Sequence, residues 1–329
     1  MRAITTRALL ASATALSGLI YASPALADCI SQAPVNPTNV TCALPGTLGF
    51  NGSTTSNLTV TVNNSGANTV VATSAGGPAL ISAGGTSSVV NFGGSYNPST
   101  STLVYGVDAG TITNPAISVG PGSIVTNDSG AAMRGTLTFG NATGSTVSTL
   151  ANNYSNLGSV NHIGLIDGAI TAAGNFNLNN MGVIGSAIGN ASVTQTGAGA
   201  VNISNGVDGG YIAPFTVSGS AIQNGLLLGN ITTAGDTTLV NHGGGSVPGA
   251  VISGNLMLGT GGTGTSTLTN GSVSSGNATI VGPVTMADMN NSVTNDGTIT
   301  GNVTLNGTGS NTYNAGSLGS SGDNGLRLA

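Results

Sequence analysis

The sequence predicts an all-β chain folded as a parallel β-solenoid, one elongated domain behind an export signal. Three observations predict it. Short stretches alternate polar and apolar residues and stop at Asn or Gly. Those stops recur with a spacing near one solenoid coil. The residues between them are small, β-branched or amide-bearing and almost never charged.

The alternation is plain in Thr59-Val60-Thr61-Val62, which ends at Asn63-Asn64-Ser65-Gly66, and in Thr136-Leu137-Thr138-Phe139, which ends at Gly140-Asn141. Val201-Asn202-Ile203 ends at Asn205-Gly206, and Ser266-Thr267-Leu268-Thr269 at Asn270-Gly271. A period of two turns one face inward and the other outward. Asn and Gly supply the left-handed backbone positions that tight turns need. Helix is disfavoured beyond Tyr21, because Gly, Asn, Thr, Ser and Val are poor helix formers.

The Asn that opens each Asn-Gly or Asn-x-Gly turn falls at 156, 180, 205, 241, 270, 295 and 314. A recurrence of about 25 residues is the signature of stacked supersecondary units. At that length the chain holds roughly a dozen coils, stacked at about 4.8 Å into a rod on the order of 55–60 Å long. A solenoid interior is narrow and each layer meets a near copy of itself. Small and β-branched side chains fill it without voids, and Asn can stack on Asn and share side-chain hydrogen bonds.

Composition excludes several classes of function. Glycine accounts for 55 of 329 residues and charged residues for 4%. There is no Lys, Glu or Trp, and only Arg134 and Arg327 carry positive charge beyond residue 27. Nine Asp against those two Arg leave the remainder at −7. Nucleic acid needs clustered Lys and Arg, so nucleic-acid binding is excluded, and anionic lipid fails for the same reason. Disorder is excluded for most of the chain by the 39% of hydrophobic residues, since disordered chains combine low hydrophobicity with high net charge.

The N-terminus reads as a secretory signal peptide, residues 1–27. Arg2 and Arg7 precede an apolar run from Ala8 to Tyr21, and Ala25-Leu26-Ala27 gives the small-x-small cleavage pattern. Cleavage is expected between Ala27 and Asp28. No later stretch is long and apolar enough for a transmembrane helix. Cys29 and Cys42 are expected to pair as a disulfide, since an even cysteine count in an exported chain reads that way. Residues 28–50, with that disulfide and Pro34, Pro37 and Pro45, are expected to cap the first coil. Residues 51–329 are expected to form the solenoid.

Catalytic and cofactor signals are sparse. His162 and His242 lie at turn-like positions and read as solvated turn histidines. No Gly-x-Ser-x-Gly elbow and no P-loop lysine occur. Gly259-Thr260-Gly261-Gly262-Thr263-Gly264 matches a dinucleotide fingerprint, but no helix is expected after it to receive a pyrophosphate. Asp108, Asp128, Asp208 and Asp296 read as isolated turn residues rather than calcium ligands. Asp288 with Asp296, or Asp208 with Asp236, are the carboxylate pairs that a β-helix hydrolase would need, and Arg134 is the one interior cation a lyase could use. No catalytic, cofactor or metal residue is expected.

Asn295-Asp296-Gly297-Thr298-Ile299-Thr300-Gly301-Asn302-Val303-Thr304-Leu305 resembles the Asn-x-Gly-x-Ile-x-Gly-x-Val-x-Leu coil of autotransporter passenger domains of the pertactin-like, adhesin type. Asn311-Thr312-Tyr313-Asn314-Ala315-Gly316-Ser317-Leu318-Gly319 is similar to the companion coil. Asn180-Met181-Gly182-Val183-Ile184-Gly185 and Asn156-Leu157-Gly158-Ser159-Val160 match it in part, and the early Cys29 and Cys42 pair resembles the start of such passengers. The resemblance spans roughly residues 28–319 and is most specific in the last coils. It implies a right-handed parallel β-helix displayed at the cell surface or released, acting by adhesion through glycans, a neighbouring cell surface or self-association. In that family an outer-membrane barrel follows the passenger, and no such barrel is expected within residues 28–329. An expectation of periplasmic retention, or of a truncated remnant, therefore stands beside display, as does the alternative of a polysaccharide lyase or hydrolase.

Overall fold

The computed structural model describes residues 30–32, 39–43, 50–51, 56–63, 81–83, 85–92, 107–108, 115–128, 132–157, 160–185, 192–207, 215–217, 220–222, 224–245, 248–272, 277–315 and 326–328. The signal segment, the Ala27–Asp28 cleavage position and Cys29 lie outside them, and so does the Cys29–Cys42 pairing, although the backbone of Cys42 sits in the strand Asn39–Ala43.

The described residues form a parallel β-solenoid. Three sheets, of twelve, eleven and eight strands, run the length of the stack and are here called sheets I, II and III. Each strand pairs with its counterpart one coil away. Every pairing within the three sheets is parallel except that of Ile30–Gln32 with Asn39–Ala43, which is antiparallel and ends sheet I. The chain visits the sheets in the order II, I, III. One coil is Ile170–Gly174 in sheet II, Phe176–Asn180 in sheet I and Val183–Ile184 in sheet III. Among the described residues there is no helix.

The period of two builds the core directly. In sheet I, Val125, Leu150, Leu178, Ile203, Leu239, Leu268 and Val293 stack in register and are buried. Sheet II contributes Ile117, Leu137, Ile170, Val193, Ile231, Leu256, Val284 and Val303. Sheet III contributes Met133, Ile166, Ile184, Leu227, Ile252, Ile280 and Ile299. Where a ring enters, its coil compensates. Phe139 shares a coil with the small Ser148, and Phe176 shares the next with Ala172. Their ring centroids stand 5.3 Å apart with planes tilted by 53°, an arrangement favoured by the ring quadrupoles.

Turns between sheets III and II carry a glycine column. A Cβ on Gly168 would lie 1.9 Å from the carbonyl oxygen of Gly135, one on Gly254 2.1 Å from that of Gly229, and one on Gly301 2.1 Å from that of Gly282. The backbones of successive coils meet at this corner, so glycine at these positions is a packing requirement.

The turn asparagines form a ladder, and two of the seven expected members are corrected. Asn156 lies in an antiparallel hairpin, Tyr154–Leu157 with Val160–Ile163, that leaves the coil; Asn152 holds the stacking position instead. Asn314 pairs in register with Thr294, so Ala315 takes the place opposite Asn295. The ladder is Asn127, Asn152, Asn180, Asn205, Asn241, Asn270 and Asn295.

Candidate functional site

Each ladder asparagine sits at the last inward position of a sheet I strand, where the chain turns toward sheet III. Its Nδ2 donates to the Oδ1 of the asparagine one coil on, at 2.8 Å from Asn127, Asn152, Asn180, Asn241 and Asn270 and at 2.9 Å from Asn205. The second hydrogen of the same Nδ2 reaches a sheet III carbonyl in that next coil at 3.1 Å, for example Leu226 from Asn180 and Thr298 from Asn270. The final amide, Asn295, donates to the hydroxyl of Tyr313 at 3.3 Å. All these amides point the same way, so each bond polarises the next. The ladder fixes the register of sheet I against sheet III and so holds the outer surface in place.

Excursions leave this same corner without disturbing it, and three of them are tied at the neck by bonds among the described residues. Gly164 N donates to Asn153 O at 2.8 Å, closing the hairpin of residues 154–163. Asn224, 1% exposed, closes the second: its Oδ1 accepts from Val207 N at 2.8 Å and from Gly225 N at 2.9 Å, and its Nδ2 donates to Val207 O at 3.0 Å. Ala250 N donates to His242 O at 2.8 Å and closes the third. Between the first two, the coil of Asn180 turns through Met181 and Gly182 alone. The result is an open depression of about 520 Å³, lined by Ala151, Asn153, Asn179, Asn180, Met181, Ser204, Gly206, Val207 and His242.

Ser204 Oγ and His242 Nε2 are 2.9 Å apart in this depression. They belong to adjacent coils, one residue before and one residue after the ladder position. The sequence reading placed His242 in a solvated turn; the structure instead makes it a half-buried member of a polar pair. Nothing local in the sequence signals this, since the partners are 38 residues apart and meet only once the coil register is known.

The outward face of sheet I is a second feature. One column runs Thr149, Asn177, Asn202, Thr238, Thr267, Ser292 and Thr312. The parallel column runs Thr126, Ala151, Asn179, Ser204, Val240, Thr269, Thr294 and Asn314, polar but for Ala151 and Val240. Neighbouring groups bond along the column, Asn202 Nδ2 to Asn177 Oδ1 at 2.9 Å and Thr267 Oγ1 to Thr238 Oγ1 at 3.4 Å. The strand spacing is about 4.8 Å and alternate residues repeat about every 6.7 Å, giving a two-dimensional array of uncharged hydroxyls and amides.

The other sequence candidates stay apart. Asp288, 1% exposed, lies at the corner between sheets II and I, where its carboxylate accepts from the hydroxyl of Ser266. Asp296, 5% exposed, lies at the opposite end of the strand Asn290–Asn295. A strand of that length separates the two by about 20 Å, beyond the 5–10 Å of paired glycosidase carboxylates. Asp236 is exposed at a corner, and Asp208 lies outside the described residues. Asp128 is exposed beside Asn153, whose Nδ2 donates to it at 3.3 Å. Register places Arg134 between Asp108 and Asp167 on sheet III, and His162 lies in the first hairpin. Gly259–Gly264 bridges two strands, Leu256–Leu258 and Thr265–Asn270, with no helix after it. Among the described residues, no three His, Cys, Asp or Glu side chains gather as for a metal.

The fold and surface define a β-solenoid with an uncharged, ladder-backed polar face. Compared with protein-family models, with curated proteins and with solved structures, the chain returns no significant match.

Proposed function

We propose that this chain is an exported, passenger-like β-solenoid, displayed at the cell surface or released from it, and that it works by multivalent contact through the outer face of sheet I. The observation that supports this reading is the pair of in-register columns, one of Thr, Ser and Asn and the other interrupted only by Ala151 and Val240, carried outward on successive coils and backed by the buried amide ladder. Each group offers one weak polar contact. A partner that repeats its own hydroxyls, such as a glycan or a neighbouring cell surface, engages many at once, and avidity then exceeds any single contact by a large factor. The scarcity of charge keeps the contact independent of salt, because little is left for ions to screen.

Fractionation of the native host with protease shaving of intact cells, read by an antibody to residues 28–329, tests display. The protein is expected on the surface or in the medium. Confinement to the periplasm overturns the reading.

A further inference from the structure

We propose that the depression over Met181 binds one neutral sugar unit, at a chain end or within an uncharged glycan. The proposal rests on the reading of the chain as a contact protein and gives that surface a discrete subsite.

The depression exists because one coil lacks what its neighbours carry. The coils of Asn152 and Asn205 leave the corner on long excursions, while the coil of Asn180 turns at once through Met181 and Gly182. Its volume of about 520 Å³ falls in the range of small-molecule sites. Two kinds of group converge there. Met181 and Val207, the latter 44% exposed, offer an apolar surface on which a sugar's C–H face can rest. Asn179, Ser204 and His242 surround it with groups that donate or accept.

The polar groups are pre-organised. The bond between Ser204 and His242 already fixes both side chains, so little rotamer freedom is lost when a ligand hydroxyl joins them. Charge decides the class of sugar. The lining contains no Lys or Arg to meet a carboxylate, sulfate or phosphate, and the Asp128 carboxylate stands one hydrogen bond behind Asn153. Anionic sugars therefore gain no ion pair and meet repulsion. A Ser–His pair is also the start of a hydrolytic site, but acyl transfer needs a group to orient the imidazole and donors for an oxyanion. The pair is assigned to binding, and ester cleavage by the purified chain is the outcome that separates the two roles.

Methyl-labelled methionine makes the site observable in the whole mature chain. Methyl glucoside, methyl galactoside and methyl N-acetylglucosaminide are titrated in turn, with glucuronate as the anionic comparison. At least one neutral glycoside is expected to shift the Met181 methyl resonance with millimolar affinity, leaving those of Met257 and Met286 in place. Ser204→Ala is expected to weaken that binding about five- to tenfold with an unchanged Met286 resonance as the check on folding. The proposal is overturned if no neutral glycoside moves Met181, if glucuronate binds as well, if Ser204→Ala binds like the parent chain, or if the purified chain cleaves a nitrophenyl ester through Ser204. The titration uses purified protein, so it stands or falls separately from surface display.

Discussion

Asn180 donates its side-chain amide to Asn205 at 2.8 Å across 25 residues of sequence, and Asn205 passes the bond to Asn241 at 2.9 Å. These contacts lie in the buried interior, where an unpaired amide or carbonyl is costly. Asn205→Ala removes one acceptor and two donors, leaving Asn241 Oδ1 and Val251 O short of partners. The expected loss of stability is about 2–4 kcal/mol, measured by denaturant unfolding.

Asn205→Asp keeps the shape and replaces the donating amide by an oxygen. Facing Asn241 Oδ1 and Val251 O, a carboxylate there is repelled, whereas a protonated acid can donate to one of them. The folded state therefore raises the pKa of the new group above the unfolded value of about 3.9. A raised folded pKa means that the folded state binds the proton more tightly, so stability falls as pH rises through that window. The variant is expected to approach the parent chain in acid and to fall further behind it toward neutrality, as read from unfolding midpoints across a pH series.

Gly168→Ala places a methyl 1.9 Å from the carbonyl oxygen of Gly135, against backbone with no side chain to move aside. Gly144→Ala meets nothing within 4 Å and bears only the strain of φ +63°. The first is expected to abolish the folded state or to cost more than about 3 kcal/mol, and the second about 1 kcal/mol. Thermal melts of the two variants compare them directly.

The repeat and the fold class were legible in the sequence because both follow from local rules, the period of two and the chemistry of turns. Asn180, Asn205, Asn241, Asn270 and Asn295 were found from their turns alone. Asn156 misled because a hairpin inserted after Asn152 carries its own turn, and a turn signal does not say whether the chain stays in the coil. Asn127 and Asn152 were missed because no glycine follows them directly or one residue later. The Ser204 and His242 pair was illegible for another reason. It depends on the coil register, and the excursion between them makes that coil longer than its neighbours, 36 residues from Asn205 to Asn241 against 25 from Asn180 to Asn205.

Asn224→Ala strips the neck of the second excursion, leaving Val207 N and Gly225 N without their acceptor. The ladder bond from Asn205 to Asn241 does not pass through Asn224. Cleavage within residues 208–223 by a broad-specificity protease is therefore expected to accelerate about tenfold or more, while the amides of the strand Val201–Asn205 keep their protection from hydrogen exchange.

Stacking of the coils in register is the claim on which the outer face, the ladder and the depression all depend. Spin labels at Thr126 and Thr294, introduced as unnatural amino acids so that Cys29 and Cys42 stay untouched, measure it most directly. Register places six coil steps between those positions, so a narrow distance distribution centred at about 29 Å is predicted. A broad distribution, or a narrow one centred well away from that distance, would contradict the stacked solenoid.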